Sequence, residues 1–547
     1  VLSVEPTWEA LLESEARAAL EQELPGFLRT RRWFGAKTTP IRSARVTDVV
    51  PIPPSESACL LVVQVEYFDR DTETYSVPLA LVGREVGAAA LADRPGLVFA
   101  RVRRPPAADD AADDAALVDG LFDPTAAGGL VSAIMRRSTI RGEAGRLVAA
   151  PSGRRLQVPE GGIPAAALLS AEQSNTSAVF GHRWVLKLFR ALETGVNPDL
   201  EVGRFLTRHA FTHAARVEGE LTYFRGPDAM TVGVLTGFVR NEGDAWRFSL
   251  DALSRYYERV LASGLAKPPG RAGHLLERAI ADHDVAAPPE SGGMGDFTGV
   301  YPGMARLLGD RTARLHLALA SDPDDPAFAP EPYAAHAQRS IMQGLRTTIT
   351  RGFDVLRRQL ARLPGGARAE AEQTLLLESR LHERVRELLT LKLTAKRIRT
   401  HGDLHLGQVL YTGSDFVFID FEGEPARPIS ERRMKRSALR DVAGLLRSLH
   451  YAAHAALESE TIRPEDRDRL RPWADAWFND MGAALLSEYL TVSAGAPFLP
   501  AARTELRLLL DLHLLEKALY ELVYELDHRP AWIRLPLEGI RSIAAGA

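Results

Sequence analysis

The pattern of apolar residues changes once along this chain, near Arg240, and that change limits the folds open to it. Before it, ACLLVVQVEYF (58–68), residues 74–82 and MTVGVLTGFVR (230–240) are rich in β-branched and aromatic residues and alternate in part, as strands do. After it, helical patterns run over 302–320, 331–363, 367–394, 432–459, 466–492 and 502–528. One short strand pair, around 405–421, interrupts them. Strands first and helices after predict an α+β fold. With 547 residues the chain exceeds one ordinary core. Its expected division is 1–105, 106–240 and 241–547. A polar tract at 106–115 reads as an exposed loop, and a Pro/Gly-rich stretch at 286–299 as a second one.

Composition removes several function classes. The formal charge of −4 argues against a dedicated nucleic-acid binder. The basic run ERRMKR (431–436) reads instead as a solvated face or a contact near the 420s. One cysteine, Cys59, cannot form an internal disulfide, which fits a reducing, cytoplasmic setting. No apolar run is long enough to cross a membrane. The opening VLSVEPTWEALLESEARAAL reads as an acidic amphipathic helix, not a signal peptide. Because the first residue is Val1, a processed chain or part of a longer one is expected.

The chemistry concentrates in THGDLHLGQVLYTGSDFVFIDFEGEP, 400–425. His401 and His405 are four apart, as zinc ligands on a helix would be, but the H-E-x-x-H pattern is absent and Gly402 weakens a helix there. A phosphotransfer reading uses more positions. Asp403 in a turn could accept a hydroxyl proton, and the Gln408 amide oxygen could hold a metal. DFVFID then reads as a strand ending in Asp420, with Glu422 two residues on, an oxygen-rich setting suited to Mg²⁺. That order suits in-line transfer of a γ-phosphoryl group.

The segment resembles the eukaryotic-like protein kinase superfamily, in the branch of aminoglycoside and sugar kinases. His401-Gly402-Asp403 matches the start of H-x-D-x-x-x-x-N, with Gln408 in place of Asn. Asp420-Phe421-Glu422 matches D-F-G, with Glu in place of Gly. The longer string HGDLHLGQ … IDFEGEPARPISERR, with RRWFGAK near the start and EKALYELVYE near the end, is similar to the maltokinases, often fused to trehalose synthase. The resemblance implies a bilobal kinase-like fold with an N-terminal β-rich cap and a mostly helical C-lobe. It implies ATP and Mg²⁺ as cofactors and transfer to the anomeric hydroxyl of maltose or a related small sugar. Asp403 would be the base. Gln408 and Asp420 would hold the metal, with Glu422 as a candidate third ligand. His401 would position the loop. Asp441, in LRDVAGLL, would brace it, or would be a plain helix N-terminal carboxylate.

Other kinase parts follow from the same expectation. RWVLKLF reads as a strand carrying Lys187 amid Val, Leu and Phe, where an unpaired charge is costly. Asn197-Pro198 opens a helix, and Glu201 on it is the expected partner of Lys187. The alternative is a snorkelling edge lysine and a surface glutamate. Ser174, Asn175, Thr176 and Ser177 in AEQSNTSAVFG could cradle phosphate without a glycine motif, or form an ordinary hairpin turn. Backbone near 236–240 would meet adenine. Lys517, Tyr520 and Tyr524 share one helix face by spacing. They suit a sugar platform, or tyrosines packed between helices. Glu521, Glu525 and Asp527 could serve a sugar or solvation. RTRRWFGAK is expected to pack Trp33 and Phe34 between the N-terminal unit and the lobe beside it.

Overall fold

The computed structural model describes residues 2–3, 7–103, 114–153, 156–158, 160–169, 174–268, 275–284 and 295–546. Most of the 106–115 tract, residues 171–173 of the expected phosphate loop and 286–294 of the Pro/Gly-rich stretch lie outside them. The chain is α+β and divides into two compact units. The first comprises Val1–Ala210, Ala215–Arg240 and Glu424–Arg432; the second comprises Phe211–Ala214, Asn241–Gly423 and Arg433–Ala547.

Two seven-stranded, almost wholly antiparallel sheets build the first unit. One runs Leu2–Ser3, Val98–Arg103, Asp114–Asp119, Glu73–Gly83, Ala58–Tyr67, Ile41–Pro51, with Ala191–Leu192 added against Glu73–Gly83. Its Ala58–Tyr67 strand explains the near-continuous apolar run. Leu60 and Val62 face a core shared with the Pro124–Arg136 helix and the second sheet. Leu61, Val63 and Val65 face the Ser14–Thr30 helix. A strand buried on both faces has no reason to alternate. Cys59 lies on the latter face and is buried.

The other sheet runs Thr139–Arg141, Arg146–Pro151, Val217–Arg225, Asp228–Gly237, Trp184–Phe189, Asn175–Phe180, Ala166–Leu168. Asp114–Asp119, beyond the expected boundary at 105, belongs to the first sheet, and the two sheets share one core. The boundary at 240 coincides with the change of unit, but 211–214 and 424–432 each belong with the opposite unit.

Trp33 and Phe34 both pack on Tyr75, and the buried Arg190 guanidinium lies 5.3 Å from the Trp33 ring centre. Arg190 Nη2 also donates to Asp119 Oδ2 at 2.5 Å. The aromatic pair therefore helps join the N-terminal segment to the strand that follows Lys187.

The second unit is mostly helical, with two-stranded pairings Glu331–Pro332/Lys396–Arg397 and Val409–Tyr411/Phe416–Phe418. The helix expected over 367–394 is two, Gly365–Leu375 and Glu378–Arg386. Its neighbour begins at Ala335, because Glu331–Pro332 is extended and pairs with Lys396–Arg397. The 431–436 run is tied internally. Arg432 meets Glu193 at 2.6 Å, and Lys435 Nζ donates to Pro326 O and Glu331 Oε1 at 2.7 and 2.9 Å. No helix among the described residues is long and apolar enough to cross a membrane.

Candidate active site

The loop 400–408 has no regular structure of its own until a short 3₁₀ turn at Leu406–Gln408, so its shape must come from its neighbours. Asp441, 1% exposed in the first turn of the Leu439–Ala455 helix, accepts from the backbone N–H of His401 at 2.7 Å and of Gly402 at 3.0 Å. His316 Nε2 reaches the same carboxylate at 3.0 Å, and the Tyr489 hydroxyl lies 2.9 Å from His316 Nδ1. All three side chains are buried. Burial pushes the Asp441 carboxyl up, but the His316 hydrogen bond and charge, with the Gly402 N–H, outweigh it and hold the group below its ordinary value. Asp441 thus holds the start of the loop through two backbone N–H groups. His316 and Tyr489 carry no sequence signal, since they come from separate helices.

His401 and His405 do not form a metal pair. His401 Nε2–H donates to the Ile419 carbonyl at 2.8 Å and its ring packs on Phe421. His405 Nδ1 accepts from the Gly407 N–H at 3.1 Å, capping the 3₁₀ turn. Burial lowers the His405 pKa, which suits an accepting, neutral ring. Gly402 adopts φ +90°, and a Cβ there would stand 3.2 Å from Gly423 Cα. The loop and the segment after Asp420 pass too closely for a side chain.

Behind the loop, a Cβ on Gly444 would lie 2.3 Å from the Leu404 carbonyl oxygen. Gly444→Ala must therefore displace either the bracing helix or the loop. It is expected to destabilise by about 1–3 kcal/mol and to lower turnover more than it raises the KM for either substrate, as steady-state kinetics would show.

Asp403 accepts from Lys517 Nζ at 3.1 Å. Burial raises its pKa, but Lys517, then His405 and His401, outweigh that and hold it below the ordinary aspartate range. Gln408 Nε2 donates to Asp420 Oδ2 at 2.8 Å. Asp420 has φ +65°, a left-handed conformation that Asp tolerates better than most residues, and Glu422 is buried two residues on. The amide of Gln408 therefore lies against the Asp420 carboxylate, and one rotation about its last bond would present oxygen in place of nitrogen. Amide oxygen plus carboxylates form a hard-oxygen donor set that fits Mg²⁺.

Lys517 belongs to the Arg503–His528 helix, on which Tyr520 and Tyr524 follow at 53% and 43% exposure. Tyrosines packed between helices would be buried, so that reading is set aside. The acidic residues of this stretch are engaged elsewhere. Glu521 binds the buried Arg447 at 2.7 and 2.9 Å, Glu525 binds Arg529 at 2.6 Å, and Asp527 accepts from Gln359.

In the first unit, Lys187 Nζ meets Asp199 Oδ2 at 2.9 Å. Sequence reasoning favours Glu201 and misses Asp199, two residues earlier in the Pro198–Arg208 helix. Both acids stand in the first turn after the Asn197 cap, and sequence spacing alone does not rank them. The Asn175–Phe180 strand sets Ser177 directly opposite Lys187, so these two share a face. Asn175 Nδ2 donates to Ser174 Oγ at 3.1 Å. The Thr176 hydroxyl accepts from Arg190 Nε at 2.9 Å and keeps its own O–H to donate. The N–H groups of Gly237 and Phe238 already donate to Arg216 and Arg183 carbonyls, both at 2.8 Å. An adenine contact expected over 236–240 cannot use those two without breaking them.

Comparison with known proteins is consistent with this geometry. Residues 27–119 match the maltokinase N-terminal cap domain. A glucosamine kinase of Streptacidiphilus jiangxiensis is 26% identical over 374 residues, covering 67% of this chain and 70% of that protein. A glucosamine kinase of Mycolicibacterium smegmatis is 32% identical over 139 residues, covering 25% of this chain and 32% of the relative. The solved structure of a glucosamine kinase in complex with glucosamine, ADP and inorganic phosphate shares the fold. Its TM-score is 0.59 at 20% identity, over 97% of this chain and 98% of that one. The chain is thus similar in sequence to glucosamine kinases and shares the fold of one, and its residues 27–119 are similar to a maltokinase-type N-terminal cap domain.

Proposed function

We propose that the protein is an ATP-dependent maltokinase, transferring a phosphoryl group to the anomeric hydroxyl of maltose to give maltose 1-phosphate. The observation that carries the phosphotransfer reading is the braced loop. Asp403 is held on a backbone fixed by Asp441, in the same loop as Gln408, whose amide pairs with Asp420. Asp403 would accept a hydrogen bond from the acceptor hydroxyl and take its proton as the oxygen bonds to the γ-phosphorus and the bond to the ADP oxygen breaks. Lys517 keeps Asp403 ionised and oriented. Gln408, Asp420 and Glu422 would hold Mg²⁺, which offsets phosphate charge when bound. Lys187 with Asp199, beside Ser177, is the phosphate-binding candidate of the first unit, and Glu201, Ser174, Asn175 and Thr176 remain in that group.

Maltose is favoured over an amino sugar by the helix that carries Lys517. Its face offers a cation and two exposed phenols, while Glu521, Glu525 and Asp527 are occupied by Arg447, Arg529 and Gln359. An ammonium substrate needs a carboxylate that is available. Seven residues of helix separate Lys517 from Tyr524, about 10 Å, of the order of a disaccharide's length. The maltokinase-type cap supports the same choice. The second reading, phosphorylation of glucosamine, is favoured by the curated relatives. Association with trehalose synthase and a place in α-glucan synthesis accompany the maltokinase reading.

ADP release with Mg²⁺, ATP and, in turn, maltose, glucose, trehalose, glucosamine and an aminoglycoside separates these. Turnover is expected to be highest with maltose. Release with glucosamine and none with maltose would establish the second reading. Tyr520→Ala and Tyr524→Ala are each expected to raise the KM for maltose about 5- to 10-fold with little change in the KM for ATP. Unchanged maltose KM in both would remove the platform.

A further inference from the structure

Four potential metal ligands from three helices converge in the second unit, apart from the residues assigned to phosphotransfer. His450 and His454 stand one turn apart on the Leu439–Ala455 helix. Asp475 comes from the Pro464–Val492 helix and Glu538 from the Arg534–Ala545 helix. One ligand atom of each lies within 4.8 Å of the other three. The i, i+4 spacing turns both imidazoles to one face, and the Asp441 brace sits at the start of the same helix.

An ordinary packing role accounts for only part of this cluster. His454 Nε2 and Asp475 Oδ1 are 3.0 Å apart, which pairs two of the four. Glu538 makes no hydrogen bond or ion pair among the described residues, although its ligand atom sits within the group. Two carboxylates turned toward each other in a half-buried site favour a cation between them. The arginines nearby are committed elsewhere. Arg447 holds Glu521 through Nε and Nη2 at 2.9 and 2.7 Å, and Arg541 pairs with Glu370 at 3.1 Å. Arg447 Nη1 lies 3.2 Å from His450 Nδ1, a contact that a metal on that nitrogen would displace.

We propose that His450, His454, Asp475 and Glu538 bind one divalent transition-metal ion, with zinc the expected occupant. Two imidazoles and two carboxylates are a borderline donor set that suits Zn²⁺, whereas Mg²⁺ prefers oxygen and keeps its waters. Ligand atoms around a tetrahedral zinc stand about 3.3 Å apart, so side-chain adjustments of the order of 1 Å close the site. Four protein ligands leave no open position, which makes the ion structural. It would tie the Arg534–Ala545 helix to the helix that Asp441 begins. Asp475, with 42% of its side chain exposed, lies on the side from which solvent reaches the cluster.

Chelator-dialysed full-length protein, titrated with Co²⁺ in excess Mg²⁺, tests this. One Co²⁺ per chain is expected, with the strong visible d–d bands of four-coordinate cobalt, bleached by one equivalent of Zn²⁺. His454→Gln and Asp475→Asn are each expected to weaken binding at least about tenfold. Circular dichroism of the metal-free variants should match wild type, and Asp403→Asn should bind cobalt as wild type does. Wild-type protein without the bands, or bands that persist at wild-type affinity in His454→Gln, Asp475→Asn and Glu538→Gln, would overturn the site.

Discussion

Asp403→Asn is expected to lower kcat by about a hundred- to ten-thousand-fold, with the nucleotide KM nearly unchanged. The substitution is close to isosteric and can keep a contact to Lys517 through its amide oxygen, so the loop held by Asp441 should persist. What it removes is the proton acceptor. Asparagine can still orient the acceptor hydroxyl, which is why a residual rate is expected. Lys517 provides the second half of the test. It is the largest influence opposing burial at Asp403, so Lys517→Ala should let burial dominate and raise the Asp403 pKa. A base works when deprotonated. The acid limb of kcat/KM, expected below the ordinary aspartate range in wild type, should therefore move toward neutral pH in Lys517→Ala. Full turnover in Asp403→Asn would remove the assigned base. An unmoved acid limb in Lys517→Ala would show that the limb reports another group.

Short-range features of the site are legible in the sequence because their geometry is local. Asp403, Gln408 and Asp420 fall within one loop and one short hairpin, where spacing nearly determines position. The Asn197-Pro198 cap is equally local, and it occurs where expected. Longer-range choices depend on helix phase and packing. Asp199 is passed over for Glu201 because both occupy the same first turn. Thr176 is a phosphate candidate by position, and only the fold shows that its hydroxyl also accepts from Arg190. The polar tract after residue 105 reads as a linker, although the strands on both sides of it, Val98–Arg103 and Asp114–Asp119, pair with each other in the first sheet. The His450, His454, Asp475 and Glu538 cluster has no motif at all, since three helices must pack before its members meet.

Asp441→Ala is expected to destabilise the second unit by about 3–5 kcal/mol and to reduce turnover even though Asp441 touches no reacting atom. The carboxylate is the shared acceptor for the His401 and Gly402 N–H groups and for His316. Deleting it leaves two backbone donors and a buried imidazole without that partner, and an unmet buried donor costs more than the bond contributed. Asp441→Asn keeps one acceptor oxygen and should recover part of the loss, whereas alanine recovers none. The pH dependence has a definite sign. A carboxyl whose folded pKa lies below its unfolded value stabilises fully above the unfolded value and loses that contribution as pH falls through the folded one. The difference between wild type and Asp441→Ala should thus be flat from about pH 5 to 8 and shrink below about pH 4. Because a chain with two units need not unfold in one step, amide hydrogen exchange at residues 401 and 402 is the decisive readout. Wild-type protection at those amides in Asp441→Ala would mean that something else holds the loop. Lost protection with near-normal turnover would mean that the loop's rigidity is not what sets the rate.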